Sequence, residues 1–552
     1  MSTSAYFNKE AENSLVQGLN IVANAVKSTL GPAGNTVVIQ KEDKRPVITK
    51  DGISVAKALS LKDEKLKLGA DLAISIAQKQ MDAVGDGTTT ATVLGSELVS
   101  VGIRQLELSE SNGNKVNRTS LKKGIEKARD YVISTLDKFK YDIQSDSDLV
   151  NIATVSANGD EKLGKVVADA YKLVGKDGVV LVEETKARDI SLTFKEGMTF
   201  NKGWTSQFFV NNHDTQSVEF DNPYIILCNS KISNLSSVID IIQNVVAKGQ
   251  PVVIIAESFD TSVIQGIAMN IFRSGGQIKV ACVEAPSFGD RRLDILRDIG
   301  IYVNAEVGDD PMGIKFEALS EAAFGRCEKI IIKKDETIIR GGKGNPEKIA
   351  ARIEAIKGMM GALKENDTME KEQLNKRLAA LTTGIAVIHV GGSSEEEIKE
   401  LRDRLDDAQW AVKAALEEGY LPGGGNTLLY LSNRVKDSFK DVTDVDEALG
   451  INIFANALKA PFRTILENAG VNVNSIIQEV LNKDDINIGY NAKTLKVVNL
   501  LEDGIIDPVK VVKGTVYAAA SIASVILTSN VIICIDPVEN KGVNLNMMPG
   551  MM

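Results

Sequence analysis

The residues best suited to chemistry lie between Val84 and Val99, in VGDGTTTATVLGSELV. An acid between two glycines runs at once into three threonines and then into apolar residues at helical spacing, so this loop opens directly onto a helix N-terminus. Unpaired amides and the positive end of the helix dipole attract an anion there, and Gly85 and Gly87 let backbone approach it closely. Asp86 would hold a magnesium ion against phosphate oxygens, with the hydroxyls of Thr88, Thr89 and Thr90 as further donors. The bland alternative is an ordinary capped helix start, because Asp, Gly and Thr are favoured at caps. No GxxxxGK[ST] occurs, so a nucleotide site here is not a Walker loop. His213 and His389 are the two histidines, which excludes a histidine-based zinc site or a triad built on several histidines. Acids must do any acid–base work, and phosphoryl transfer suits them, since it asks for positioned metal and water more than for a strong base.

The elements that deliver this loop can be read from periodicity. Leu15, Leu19, Val22 and Val26 bury one face of a helix over residues 8–29, which stops at Leu30, Gly31 and Pro32. Short strands at 36–39 and 47–49 lead to the charged turn Lys50, Asp51, Gly52. A helix with Leu66, Ala70, Ala73, Ala77 and Met81 on one side then reaches the GDGTTT loop. Three turns thus end elements that pack together, and such convergence makes a site. From about residue 142 the texture becomes α/β, with strands expected at 224–227, 252–256, 278–283 and 330–332. The intervening helix, Leu235 to Val246, has seven apolar positions in twelve. That exceeds one core stripe, so it is either buried on two sides or keeps an outward apolar edge. Residues 346–381 read as a solvated helical pair. A long helix from Ser394 buries Ile398, Leu401, Leu405, Ala408, Val412 and Ala415, and this places Asp407 on the opposite face, displayed as a solvated charge or as a working acid.

Composition bounds the rest. At 552 residues the chain exceeds one core, and roughly 100–200 residues per domain gives three or four domains. Hydrophobic residues at 43% and charged residues at 25% are a globular balance, and the net charge of −10 argues against a broad nucleic-acid footprint. Four scattered cysteines without a CxxC pair read as reduced. No uncharged run is long enough to span a bilayer and no targeting segment is seen at the N-terminus, so the chain reads as cytoplasmic. Helical texture at both ends and α/β texture inside, with glycines at Gly197, Gly384 and Gly419 near the transitions, suggest nested domains with double connections that could hinge. The C-terminal VNLNMMPGMM lacks any period and is expected to be disordered.

The ordered set TLGPAGNTVVI, TKDGISVAKAL, VGDGTTTATVL, FGDRR, GIAVIHVGG, EEGYLPGGG and GIIDP resembles the group I chaperonins, the GroEL family, over about residues 8–536. The resemblance implies a multidomain chaperonin fold: a mainly α equatorial domain from residues 1–138 and 418–552, an α/β intermediate domain from 139–195 and 386–417, and an α/β apical domain from 196–385. It implies an ATP-dependent chaperone that captures non-native polypeptides and refolds them in a seven-membered homo-oligomeric ring, served by a co-chaperonin, with no nucleic-acid or membrane partner. An ATP-independent holdase that keeps the fold is the alternative. Carried over by residue, Thr29, Leu30, Gly31 and Pro32 would contact ATP, Lys50 would lie by the phosphates, and Asp86, Gly87, Thr88, Thr89 and Thr90 would hold magnesium and phosphate, Asp86 being the metal ligand. Potassium is a second candidate cation. Gly424, Asn491, Ala492 and Asp507 would frame adenine and ribose, with Lys493 beside them where the family has a small residue. Asp51 and Asp407 would be catalytic, handling the attacking water. The polypeptide face would be Trp204, Phe208, Phe209, Ile239, Ile242, Ile264, Ala268 and Met269. Three more departures are a long polar segment from Gln105 to Thr119, a shortened and Pro-broken tail, and an alanine at 268 where a branched residue is usual.

Overall fold

The computed structural model describes residues 3–40, 46–175, 178–185, 187–311, 313–362, 368–382 and 384–535. The tail from residue 543 lies outside them. Helix Asn8–Lys27 buries Leu15, Leu19, Val22 and Val26, as their spacing predicts. It packs on helix Glu64–Val84, and the crossing is made possible by reciprocal glycines. A Cβ on Gly18 would lie 1.9 Å from the Leu66 carbonyl oxygen, and one on Gly69 would lie 2.2 Å from that of Leu15. The two backbones are therefore in direct contact. Gly69→Ala must push the helices apart, and overpacking of this kind costs about 1–3 kcal/mol. A urea midpoint below that of wild type checks it; an unchanged midpoint would show that the crossing relaxes freely.

The chain divides into two compact units. The first comprises Met1–Asp169, Glu184–Ile190 and Val390–Met552; the second comprises Ala170–Glu183 and Ser191–His389. The first unit is helical. Around its core, helices Thr88–Ser111, Arg118–Leu136, Val445–Ala457 and Val509–Thr528 join the first pair, with Leu94, Leu98, Leu121, Ile125, Phe454 and Val516 fully buried. One helix, Val509–Thr528, is long and apolar enough to cross a bilayer by length and composition, although Lys510 and Lys513 keep it from being an uncharged run. Its apolar residues are instead spent on this core, from Val509 and Val516 to Ala523 and Leu527. The chain ends meet in a strand pair, Thr3–Phe7 with Val531–Ile535. The second partner was expected; the first was not, because TSAYF is too short and mixed to carry a strand signal alone.

In the second unit a ten-stranded mixed sheet carries a parallel run, Tyr224–Ile232, Val252–Phe259 and Val280–Glu284, which reads in sequence as continuous apolar stretches because both faces are covered. Strand Ser191–Phe200 was not anticipated; SLTFKEGMTF is broken by charges and a glycine, and its pairing with Thr337–Gly342 and Gly384–Val390 supplies what propensity does not. Gly197 sits inside one of these strands and Gly384 opens another, and the changeovers between units fall at 169/170, 183/184, 190/191 and 389/390. Helices Pro346–Ala362 and Thr368–Thr382 are not merely solvated: Arg352 and Arg377 each donate to Asp298 at 2.7 Å on helix Gly289–Val303, and Ile356 is buried. The polar segment after Gln105 continues its helix to Ser111. Arg118, opening the next helix, donates to the carbonyls of Leu527 and Ser529 and pairs with Glu12, closing the end of helix Val509–Thr528.

Candidate functional site

Within the first unit, a cavity of about 800 Å³ gathers the turns that sequence singled out. Helix Glu64–Val84 stops at Gly85 (φ 84°), and Gly87 (φ 81°) starts helix Thr88–Ser111. Both glycines hold the left-handed conformation that side-chain-bearing residues avoid. Helix Thr88–Ser111 has no side-chain cap, so its first amides are left for an anion, and Gly87, Thr88, Thr89 and Thr90 all face the cavity. The loop is braced from below by Gln80, whose Nε2 donates to the Asp86 carbonyl at 2.6 Å. The Asp86 carboxylate accepts from the Gly87 amide at 2.5 Å and from the Ser156 hydroxyl at 3.0 Å.

A second wall is the turn Thr29, Leu30, Gly31, Pro32, held by Asn468, whose amide donates to the carbonyls of Lys27 and Leu30 at 2.9 and 2.8 Å. The hairpin Val37–Ile39 with Val47–Thr49 delivers Lys50 and Asp51. Asp51 caps helix Gly52–Ala58, accepting from the amides of Ile53 and Ser54 at 3.3 and 3.0 Å, so its carboxylate is fixed in direction and keeps lone pairs toward the cavity. Asp507 accepts the amides of Gly424 and Gly425, holding the glycine turn before helix Asn426–Ser438. Asn491, Ala492 and Lys493 also line the cavity. The Asn491 side chain is already used: its oxygen accepts from the amides of Lys493 and Thr494, and its nitrogen donates to Asp503. What it presents is a fixed turn, not a free amide.

Asp407 is not displayed to bulk solvent. It is partly buried and lines the cavity, where burial and then the nearby charges of Asp86 and Asp51 hold its carboxyl well above the usual range. The same physics pushes Asp86 up to about 6, by burial and the charge of Asp51, and Asp507 up to about 6, by burial and the charge of Asp86. Sequence reasoning missed Asp403 and Arg404, which also line the cavity; Asp403, raised to about 7 by burial and Asp51, lies one turn before Asp407 on the same face, and that i, i+4 spacing was available as a signal. Ser156 was also missed, and VSANGD offers no signal for it.

Carboxyls whose pKa values are raised in the folded state bind more protons there than when unfolded. Their contribution to stability is therefore complete at low pH and lost as pH rises from about 4 toward about 7. Asp403→Asn is expected to match the thermal midpoint of wild type near the bottom of that window and to exceed it increasingly toward the top. Midpoints that differ by the same amount throughout would remove this electrostatic account.

Comparison with known proteins decides the family. The profile of the TCP-1/cpn60 chaperonin family matches residues 22–537. The chain belongs to the TCP-1/cpn60 chaperonin family. Among relatives, the proteins named chaperonin GroEL of Orientia tsutsugamushi strains Boryong and Ikeda are each 39% identical over 538 residues, covering 97% of this chain and 95% of theirs. A crystallised chaperonin of bacteriophage EL, solved in the presence of ATP-BeFx, shares the fold with a TM-score of 0.69 at 20% identity, over 97% of this chain and 99% of that one.

This chaperonin keeps its second group of candidate residues in the second unit. Phe208 is 79% exposed, Met269 51% and Ile239 40%. Trp204, Ile264 and Ala268 are partly buried against the core, and Leu235 packs onto helix Thr261–Arg273, where a Cβ on Gly266 would meet it at 2.3 Å. Phe209 and Ile242 belong to the core beneath and present almost no surface. Helix Leu235–Ala247 therefore buries Val238, Ile242 and Val245 and keeps an outward edge at Ile239. Phe272, 82% exposed at the end of the neighbouring helix, was not anticipated.

Proposed function

We propose that this chaperonin binds ATP in the cavity of its first unit and uses hydrolysis there to drive capture and release of non-native polypeptides on the apolar face of its second unit. It is an ATP-dependent chaperone and an ATPase of the chaperonin type. The single observation that carries the site reading is the convergence, in one cavity, of the glycine turn at Asp86, the acids Asp51 and Asp407, and the turns at Gly31, Gly424 and Asn491. Phosphates would lie against the open amides of Thr88 to Thr90, with Gly87 and Lys50 beside them; Asn491, Ala492, Lys493, Gly424 and Asp507 would border base and sugar. Four crowded carboxyls with raised pKa values are what a divalent cation relieves, so Asp86 fits a magnesium ion shared with phosphate oxygens. Among the described residues no three ligating side chains gather to hold a metal by themselves. When bound, magnesium would neutralise charge on the phosphates. Asp51 and Asp407 would orient the attacking water and take its proton. Potassium is the second cation proposed.

The domain assignment that goes with this reading is equatorial 1–138 and 418–552, intermediate 139–195 and 386–417, and apical 196–385, with seven chains to a ring, a co-chaperonin partner and a cytoplasmic location. The experiment is recovery of a chemically denatured enzyme by the full chaperonin, with and without magnesium-ATP. Faster or fuller recovery with nucleotide is expected, whereas equal recovery in both arms would reduce the protein to a holdase. Electron microscopy of the same preparation counts the chains in a ring.

A further inference from the structure

Helix Glu395–Glu418 is joined to the phosphate-loop side of the cavity by three successive contacts. Ala414 packs with Val84 and Val511 in one buried cluster. The indole of Trp410 lies on Gly85, so closely that a Cβ there would stand 2.3 Å from its Cδ2. Asp407 faces Asp86 across the cavity. Residues 84, 85 and 86 are thus matched in order by 414, 410 and 407, which fall at i+7, i+3 and i on one side of the helix. The helix is also held by its capping serine, Ser394, whose hydroxyl accepts from the Glu397 amide at 3.2 Å, by its buried stripe around Leu405, Ala408 and Val412, and by ion pairs of Arg402 with Glu184, Arg404 with Asp160, Glu417 with Lys510 and Glu418 with Lys513. Of its contacts with the loop, the one nearest Asp407 is an aromatic ring against bare backbone. Gly85 accepts this because it has no side chain, and Lys413, with its ammonium 5.6 Å from the ring centroid, covers the indole further.

We infer that Trp410 is a positioning residue for hydrolysis, setting the separation of Asp407 from the Asp86 loop by seating its indole on Gly85. This rests on the role proposed above for Asp407. Trp410 does not itself line the cavity, so its effect passes through the acid one turn away. Misplacement of a catalytic group by about 1 Å costs up to about 10²-fold in rate, and loss of the ring opens a gap over Gly85 into which the turn carrying Asp407 can shift.

The test is a double-mutant cycle on the full chaperonin, read by single-turnover ATP hydrolysis and by nucleotide affinity. Trp410→Ala is expected to lower the hydrolysis rate about tenfold with nucleotide affinity within about twofold, and Trp410→Phe, which keeps a flat ring, to recover most of the rate. In an Asp407→Ala background the same Trp410→Ala change should have almost no further effect. An equal fold-loss in both backgrounds, or rate and affinity falling together, overturns the assignment and makes Trp410 a general packing residue. An Asp407→Ala chain that hydrolyses ATP at the wild-type rate overturns the functional reading of Asp407 and this inference with it.

Discussion

Asp407→Ala is expected to lower steady-state ATP turnover by about 10²-fold or more while nucleotide affinity stays within a few-fold. A positioned acid–base group contributes about 10²–10⁴ in rate, and Asp407 differs from three other cavity acids that brace turns: Asp51 is tied to Ile53 and Ser54, Asp86 to Gly87 and Ser156, and Asp507 to Gly424 and Gly425. Those three serve the architecture of the turns as well as any ligand, so their removal would disturb binding and rate together. Removal of Asp407 should touch rate alone. Burial and the charges of Asp86 and Asp51 hold its carboxyl well above the usual range, and a cation that offsets those neighbours would lower it, favouring the form that accepts a proton. Turnover of the variant within twofold of wild type, measured by phosphate release, would take the acid out of the reaction.

Phe208→Glu is expected to abolish capture of a denatured protein while ATP turnover persists. A phenylalanine that passes from exposed to buried against a client contributes about 1.5–3 kcal/mol, and each 1.4 kcal/mol is tenfold in affinity. The glutamate forfeits that gain and adds the cost of desolvating a charge. Phe208 is the most exposed of the eight candidate residues and carries little of the core, which should leave the fold intact. Phe209→Glu next to it is a different experiment, because Phe209 is 4% exposed and its replacement buries a charge and unfolds the second unit. Undiminished capture by Phe208→Glu, in an assay of suppressed client aggregation, would move the binding face elsewhere.

Much of the cavity could be read from the chain because its parts are turns with strict backbone demands. Gly85 and Gly87 at positive φ, the capping Asp51 and the Gly424–Gly425 turn each leave a local signature in residue type and order. Helix periodicity was equally informative for the first unit, where Leu15, Leu19, Val22 and Val26 faced inward as expected. The features that escaped depend on partners distant in sequence. Strand Thr3–Phe7 exists through its pairing with Val531–Ile535, and strand Ser191–Phe200 through its two neighbours in the sheet. The setting of Asp407 escaped for a related reason: periodicity places it off the core stripe, but whether that side meets water or a polar cavity depends on loops some 250 to 350 residues away in sequence. Burial of Phe209 and Ile242 belongs to the same class, since adjacent apolar residues on a short element point in different directions, and tertiary packing decides which is shown.

The most direct measurement is recovery of a denatured enzyme present in molar excess over the chaperonin, with ATP, without ATP, and with Asp407→Ala plus ATP. Repeated cycling predicts that wild type with ATP returns more active enzyme than there are chaperonin rings, and that the other two arms do not. Equal recovery in all three arms would contradict a folding cycle driven by hydrolysis at this cavity.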